Sequence, residues 1–94
     1  MGRANYMKDK ELESNLKALA NRRRLAIVRF IKKKNETSVG DIAEEIKLSL
    51  KSTSRHLAVL FSAGILDREQ RSLQVFYKLS PDIAEPVRRV VSTL

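Results

Sequence analysis

The chain has 94 residues, with 19 Lys or Arg against 11 Asp or Glu and a net charge of +8. That length predicts one domain, residues 1–94, with a small core that a second subunit would help to stabilise. The absence of Cys excludes disulfides, thiolate metal sites and cysteine nucleophiles, and no apolar run reaches the roughly 20 residues of a membrane-spanning helix. Residues 1–7 carry no apolar core of the signal-peptide kind, so a soluble, cytoplasmic chain without a membrane partner is expected. The excess of positive charge favours a polyanionic partner, nucleic acid above all.

Leu12, Leu16, Leu19 and Ala20 have helical spacing and predict a first helix over residues 8–20. Asn21 is suited to cap a second helix, residues 22–33, with Leu25, Ile27, Val28 and Ile31 at its apolar positions. Residues 35–37 read as a loop that leads into a very short strand. Ser38 with Asp41 three residues on resembles a capping box and opens a short helix, 39–46, that buries Val39, Ile42, Ala43 and Ile46. Lys47 and Leu48 make a tight turn, Ser49 caps the next helix, 50–63, and Gly64 supplies a left-handed residue beyond its end. The period then changes. Ile65 and Leu66, then Leu73, Val75, Phe76, Tyr77 and Leu79, predict two strands, with the polar residues 69–72 as the hairpin tip. Ser80 and Pro81 predict the cap and first residue of a last helix carrying Ile83, Val87, Val90, Val91 and Leu94 on one stripe. This order of helices, tight turn and hairpin gives a mainly α fold with a small β-hairpin, a winged helix-turn-helix.

On a helical wheel of residues 50–62, Leu50, Thr53, Leu57, Leu60 and Phe61 gather on one side and Lys51, Ser52, Arg55 and Ser62 on the other. His56 falls on the flank, and Ser54 leans toward the apolar side. The outward face carries two cations, hydroxyls and no acid, which is the chemistry that donates to guanine O6 and N7 or to phosphates in a major groove. The positive end of the helix dipole at Ser49 favours a phosphate as well.

Several segments together resemble the ArsR/SmtB family of winged-helix repressors. They are residues 16–28 (LKALANRRRLAIV), 38–46 (SVGDIAEEI), 49–60 (SLKSTSRHLAVL), 63–66 (AGIL) and 76–79 (FYKL). The likeness spans residues 12–79. It implies a homodimer that binds double-stranded DNA at an operator palindrome and blocks transcription until an effector releases it. It also places Ser52, Ser54, Arg55 and His56 where that family contacts bases and phosphates. For Ser54 a hydroxyl bonded to the preceding turn is an equal alternative, and for His56 a boundary histidine with a satisfied hydrogen bond.

The chain departs from that pattern where many relatives sense metals. Ser38 and Gly40 stand at the positions of one site's cysteines. In the last-helix site Asp82 matches the first ligand, Ala84 stands at the next histidine, and the chain stops at Leu94. Soft and borderline metals want imidazole or thiolate, and the one histidine is His56. A metal sensor of the family type is therefore not expected, no cofactor is assigned, and no residue pattern identifies an effector. Arg22 replaces a common Pro, and Leu50 replaces a Gln common in the readout helix, which leaves the operator sequence open.

Arg68 and Arg71 flank the hairpin tip, and a wing arginine is attracted by a narrow minor groove; Asp67 and Glu69 oppose that attraction. Leu12, Leu16 and Leu19, with Ile83, Val87, Val90, Val91 and Leu94, suit a two-fold interface, with core packing as the alternative. The leading function is a dimeric, sequence-specific DNA-binding repressor. The other is a winged-helix protein-interaction or transcription-machinery module without base readout. An enzyme is not supported, since there is one His, no Cys and no Gly-rich phosphate loop. Charge alone would mislead about the contact. Residues 1–34 hold 11 Lys or Arg and 3 Asp or Glu, whereas residues 35–64, which include the readout helix, hold 3 and 4.

Overall fold

The starts of the first four helices are set by side chains that take up free backbone N–H groups. In a computed structural model that describes residues 8–94, helix α1 (Asp9–Leu19) begins where the Lys8 backbone N–H donates to Glu11 Oε1 at 3.2 Å. Helix α2 (Arg22–Lys34) begins at Asn21, whose Oδ1 accepts from the N–H groups of Arg23 and Arg24, each at 3.0 Å. The Ser38 hydroxyl oxygen accepts from Asp41 N–H at 3.2 Å to start α3 (Val39–Ile46), and that of Ser49 accepts from Ser52 N–H at 3.1 Å to start α4 (Leu50–Ser62). Lys47, with φ 59°, ends α3 in the left-handed region and turns the chain directly into α4. Gly64, with φ 78°, does the same after α4 at no steric cost. The segment 1–7, read above as lacking a signal-peptide core, lies outside the described residues.

Strands β1 (Thr37–Ser38), β2 (Leu66–Arg71) and β3 (Gln74–Leu79) form an antiparallel sheet with β3 in the middle. Thr37 pairs with Tyr77, and the hairpin runs from Leu66 opposite Leu79 to Arg71 opposite Gln74. The loop expected at residues 35–37 thus ends in the short strand β1, which ties the start of α3 to the hairpin.

The core is one cluster: Ile27, Val28 and Ile31 of α2, Ile42 of α3, Leu57 and Leu60 of α4, Ile65 and Leu66, then Tyr77, Ile83, Val87 and Val91. Helix α1 lies against α2 and α4, burying Ala18 and Leu19, while Asn15 Nδ2 donates to Ala63 O at 2.8 Å and so ties α1 to the end of α4. No helix among the described residues is long and apolar enough to cross a membrane.

Two expectations are corrected. The hairpin turn is Ser72-Leu73, not residues 69–72; β2 continues through Arg71, and Leu73 is 97% exposed at the tip. Ser72 has φ 55°, the left-handed first position that matches the twist of a hairpin. The polar residues 69–71 face no core, so nothing required them to alternate in polarity, and a polar strand reads as a loop. The last helix, α5, is Val87–Ser92, not a helix opening at Pro81. Pro86 has no N–H and disfavours a helical residue before it, so a helix cannot run through it from residue 81. The Ser80 hydroxyl oxygen accepts from Asp82 N–H at 3.1 Å, which makes a local turn instead.

Helix α5 is held at its far end. Lys32 Nζ donates to Ser92 O at 2.6 Å and Val91 O at 3.4 Å, a cation on the carbonyl end of a helix. Lys32→Met is expected to lower stability by about 0.5–1 kcal/mol in urea unfolding. Thr53 has 0% exposure and its hydroxyl has no hydrogen-bond partner among the described residues. Thr53→Val keeps the shape and removes an unsatisfied polar atom, so it should raise stability by about 1 kcal/mol in the same measurement.

Candidate nucleic-acid interface

Burial of Thr53, Leu57 and Leu60 turns one face of α4 into the core and fixes the helix rotation. The other face begins at the Ser49 cap and presents Lys51, Ser54 and Arg55 to solvent, with Ser52 half-buried beside them. No acid lies in the first turn. Among the described residues neither Lys51 nor Arg55 takes part in an ion pair, so both charges are available to an external anion. The structure therefore brings Ser49, Lys51, Ser52, Ser54 and Arg55 together at one helix end. Two assignments from the wheel change. Ser54 is exposed and among the described residues makes no hydrogen bond back to the preceding turn, and Leu50 is 60% exposed rather than part of the core. The core ends one turn short of the helix start, which a wheel projection cannot register.

His56 is half-buried on the flank and meets a residue that sequence reasoning left without a role. Arg24 Nη1 lies 3.1 Å from His56 Nδ1, while Arg24 Nε donates to Ala18 O at 2.6 Å. The partners lie 32 positions apart, so no local spacing signals the contact. Partial burial, then the positive charges of Arg24 and Arg23, lower the His56 pKa below its ordinary value.

The wing arginines are engaged within the domain. Arg68 stacks on the Phe61 ring, its guanidinium carbon 3.9 Å from the centroid. Arg71 donates from Nη2 to Glu36 Oε2 at 2.6 Å and to Glu69 Oε1 at 3.0 Å, and stacks on Phe76 at 4.7 Å. Those two carboxylates hold Arg71 more firmly protonated than usual, and Arg71 in turn lowers the pKa of Glu69. Asp67 and Glu69 were visible as opposing charges in the sequence; Glu36, which reaches the wing from the start of β1, was not.

The apolar stripe proposed for an interface divides. Leu19, Ile83, Val87 and Val91 are buried in the core of this single chain. Leu12 and Leu94 are partly buried against that core, and Leu16 and Val90 are 48% and 41% exposed. Leu16 and Val90, with the open edges of Leu12 and Leu94, form the outward part, and α1 packs beside α5.

The direction of the His56 shift has a consequence for stability. A histidine whose folded pKa is depressed binds fewer protons in the native than in the unfolded state, so its contribution is complete above its ordinary pKa and is lost as pH falls from there through the depressed folded pKa. The melting temperature should therefore drop between about pH 7.5 and about pH 5.5, and the drop should be smaller in His56→Gln.

The sequence model of the arsR family of bacterial regulatory proteins matches residues 21–68. The chain is 42% identical over 65 residues to the transcriptional activator HlyU of Vibrio cholerae serotype O1, covering 69% of this chain and 59% of that protein. It is 33% identical over 75 residues to the arsenical resistance operon repressor of Escherichia coli K12, covering 80% and 64%. The chain thus spans less than two thirds of the length of these curated relatives. A homodimeric winged helix-turn-helix DNA-binding domain from Mycobacterium bovis, described as a possible ArsR-family regulator, superposes with a TM-score of 0.76 at 26% identity, covering 93% of this chain and 82% of that one. With the family's sequence pattern across the helix-turn-helix and the same fold around it, this chain belongs to the ArsR family of bacterial regulatory proteins.

Proposed function

We propose that the protein is a dimeric, sequence-specific DNA-binding transcriptional regulator that represses by occupying a palindromic operator. The observation that carries this reading is the solvent face of α4, where Lys51, Ser54 and Arg55 are exposed and, among the described residues, free of acidic partners, on a helix whose opposite face is locked in the core. Arginine and lysine donate to guanine O6 and N7 or to phosphate, serine adapts to either, and the exposed Leu50 suits the methyl group of thymine. The N–H groups at the α4 start add a preference for phosphate.

Two copies joined through the outward parts of Leu12, Leu16, Val90 and Leu94 would double these contacts and place two α4 helices about one DNA turn, roughly 34 Å, apart. The homodimeric state of the M. bovis neighbour supports that arrangement. The relatives named above include both an activator and a repressor; repression is proposed because it requires only occupancy of the site. Arg68 and Arg71 approach the DNA backbone only after giving up their contacts to Phe61 and to Glu36 and Glu69, so the wing contributes less than α4. Release does not run through a thiolate metal site within these residues. The chain has no Cys, and no group of three or more His, Asp or Glu fit to hold a metal occurs among the described residues.

Selection of bound duplexes from a random DNA pool tests the reading. An inverted repeat with half-sites about one turn apart is expected. On the selected duplex Arg55→Ala should cost about 1–3 kcal/mol, with a much smaller loss on random DNA. A pool that returns no preferred sequence overturns the reading in favour of a winged-helix interaction module.

A further inference from the structure

Arg24 sits where α1, α2 and α4 meet. At the end of α1, Leu16 O accepts from Ala20 N–H and Leu19 O accepts from Asn21 N–H, so the carbonyls of Lys17 and Ala18 are left without backbone partners. Arg24 takes them, with Nε 2.6 Å from Ala18 O and Nη2 3.5 Å from Lys17 O. A cation there also suits the negative end of the helix dipole.

The remaining arm of the fork, Nη1, reaches His56 Nδ1 at 3.1 Å. Guanidinium has no acceptor and does not lose its proton in proteins, so Arg24 is the donor and Nδ1 holds its lone pair toward it. A neutral imidazole with a lone pair on Nδ1 carries its proton on Nε2. Among the described residues Nε2 has no hydrogen-bond partner. The charged groups that act on the ring are Arg24 and Arg23 of α2, both cations. Among the described residues no carboxylate acts on it to favour the imidazolium.

We propose that Arg24 is a positioning residue of the DNA interface, which fixes His56 as the neutral Nε2–H tautomer and so gives α4 a neutral N–H donor for an acceptor on DNA. The acceptor is a phosphate oxygen or a base-edge nitrogen or oxygen, which share this chemistry. His56 then acts neither as a cation nor as an acceptor. Because the same guanidinium is anchored on the last turn of α1, the tautomer depends on where α1 ends. The proposal rests on the reading of α4 as the DNA-contacting helix.

Nitrogen-15 NMR of the His56 ring in the free, full chain tests the first half without any DNA. The Nε2–H tautomer should dominate in the unsubstituted protein. In Arg24→Lys, where a single ammonium cannot span two carbonyls and a ring nitrogen, the two tautomers should mix and the His56 pKa should rise. A mixture like that of a free imidazole in the unsubstituted protein overturns the proposal even if Arg24→Lys folds poorly.

Binding to a duplex recovered from the random pool tests the second half. Arg24→Lys and His56→Leu should each weaken binding, by about three- to tenfold for one hydrogen bond. The double variant should be no weaker than His56→Leu alone, because the two residues act as one unit. Losses that multiply overturn the positioning role. An unsubstituted protein that binds no selected duplex removes the DNA reading, and the donor role with it, whereas the tautomer in the free protein still decides whether Arg24 fixes the ring. Varying the base opposite His56 in the bound duplex separates the two acceptors. Discrimination among bases that Arg24→Lys reduces marks a base edge, and an equal loss on all bases marks a phosphate.

Discussion

Everything the surface of this domain can do follows from how α4 is seated. Leu57 and Leu60 enter one apolar cluster with Ile27, Val28 and Ile31 of α2 and Ile42 of α3, and all six are fully buried. In a chain this short the core is thin, and each of these side chains accounts for a large share of the burial that opposes conformational entropy. The seating allows one rotation of the helix about its axis. That rotation turns Lys51, Ser54 and Arg55 outward together.

The tertiary structure also sorts the positive charge. Of the cations in residues 1–34, Arg24 closes the end of α1 and holds His56, and Lys32 closes the end of α5. Lys17 pairs with Glu13, and Lys34 lies over Phe30. In the wing, Arg68 and Arg71 are occupied by Phe61, Glu36, Glu69 and Phe76. Part of the positive charge therefore acts within the fold, while Lys51 and Arg55 share theirs with no acid among the described residues. A chain can be strongly basic overall and still direct its partner to a segment that is nearly neutral in sequence, because what counts at short range is whether a charge is compensated.

Where local chemistry decides structure, the chain was legible. Asn21, Ser38 and Ser49 cap the helices they were expected to cap, and Gly64 takes the left-handed turn after α4. Each depends on groups within a few residues of one another. The hairpin tip and the start of the last helix were not legible. A polar strand without a core beside it has no alternation to read, and Ser80-Pro81 is a good helix opening that Pro86 cancels.

The sequence by itself determined the order of elements, the winged helix-turn-helix and the end of α4 that carries the cations, because capping, periodicity and turn chemistry are short-range. Only the tertiary structure decided that Ser54 and Leu50 face solvent, that Leu19, Ile83, Val87 and Val91 belong to the core, and that Arg71 answers to Glu36. It alone joined Arg24 to His56. Those outcomes depend on which distant segments share a surface, and a hydrogen bond between residues 24 and 56 leaves no trace in the spacing of either.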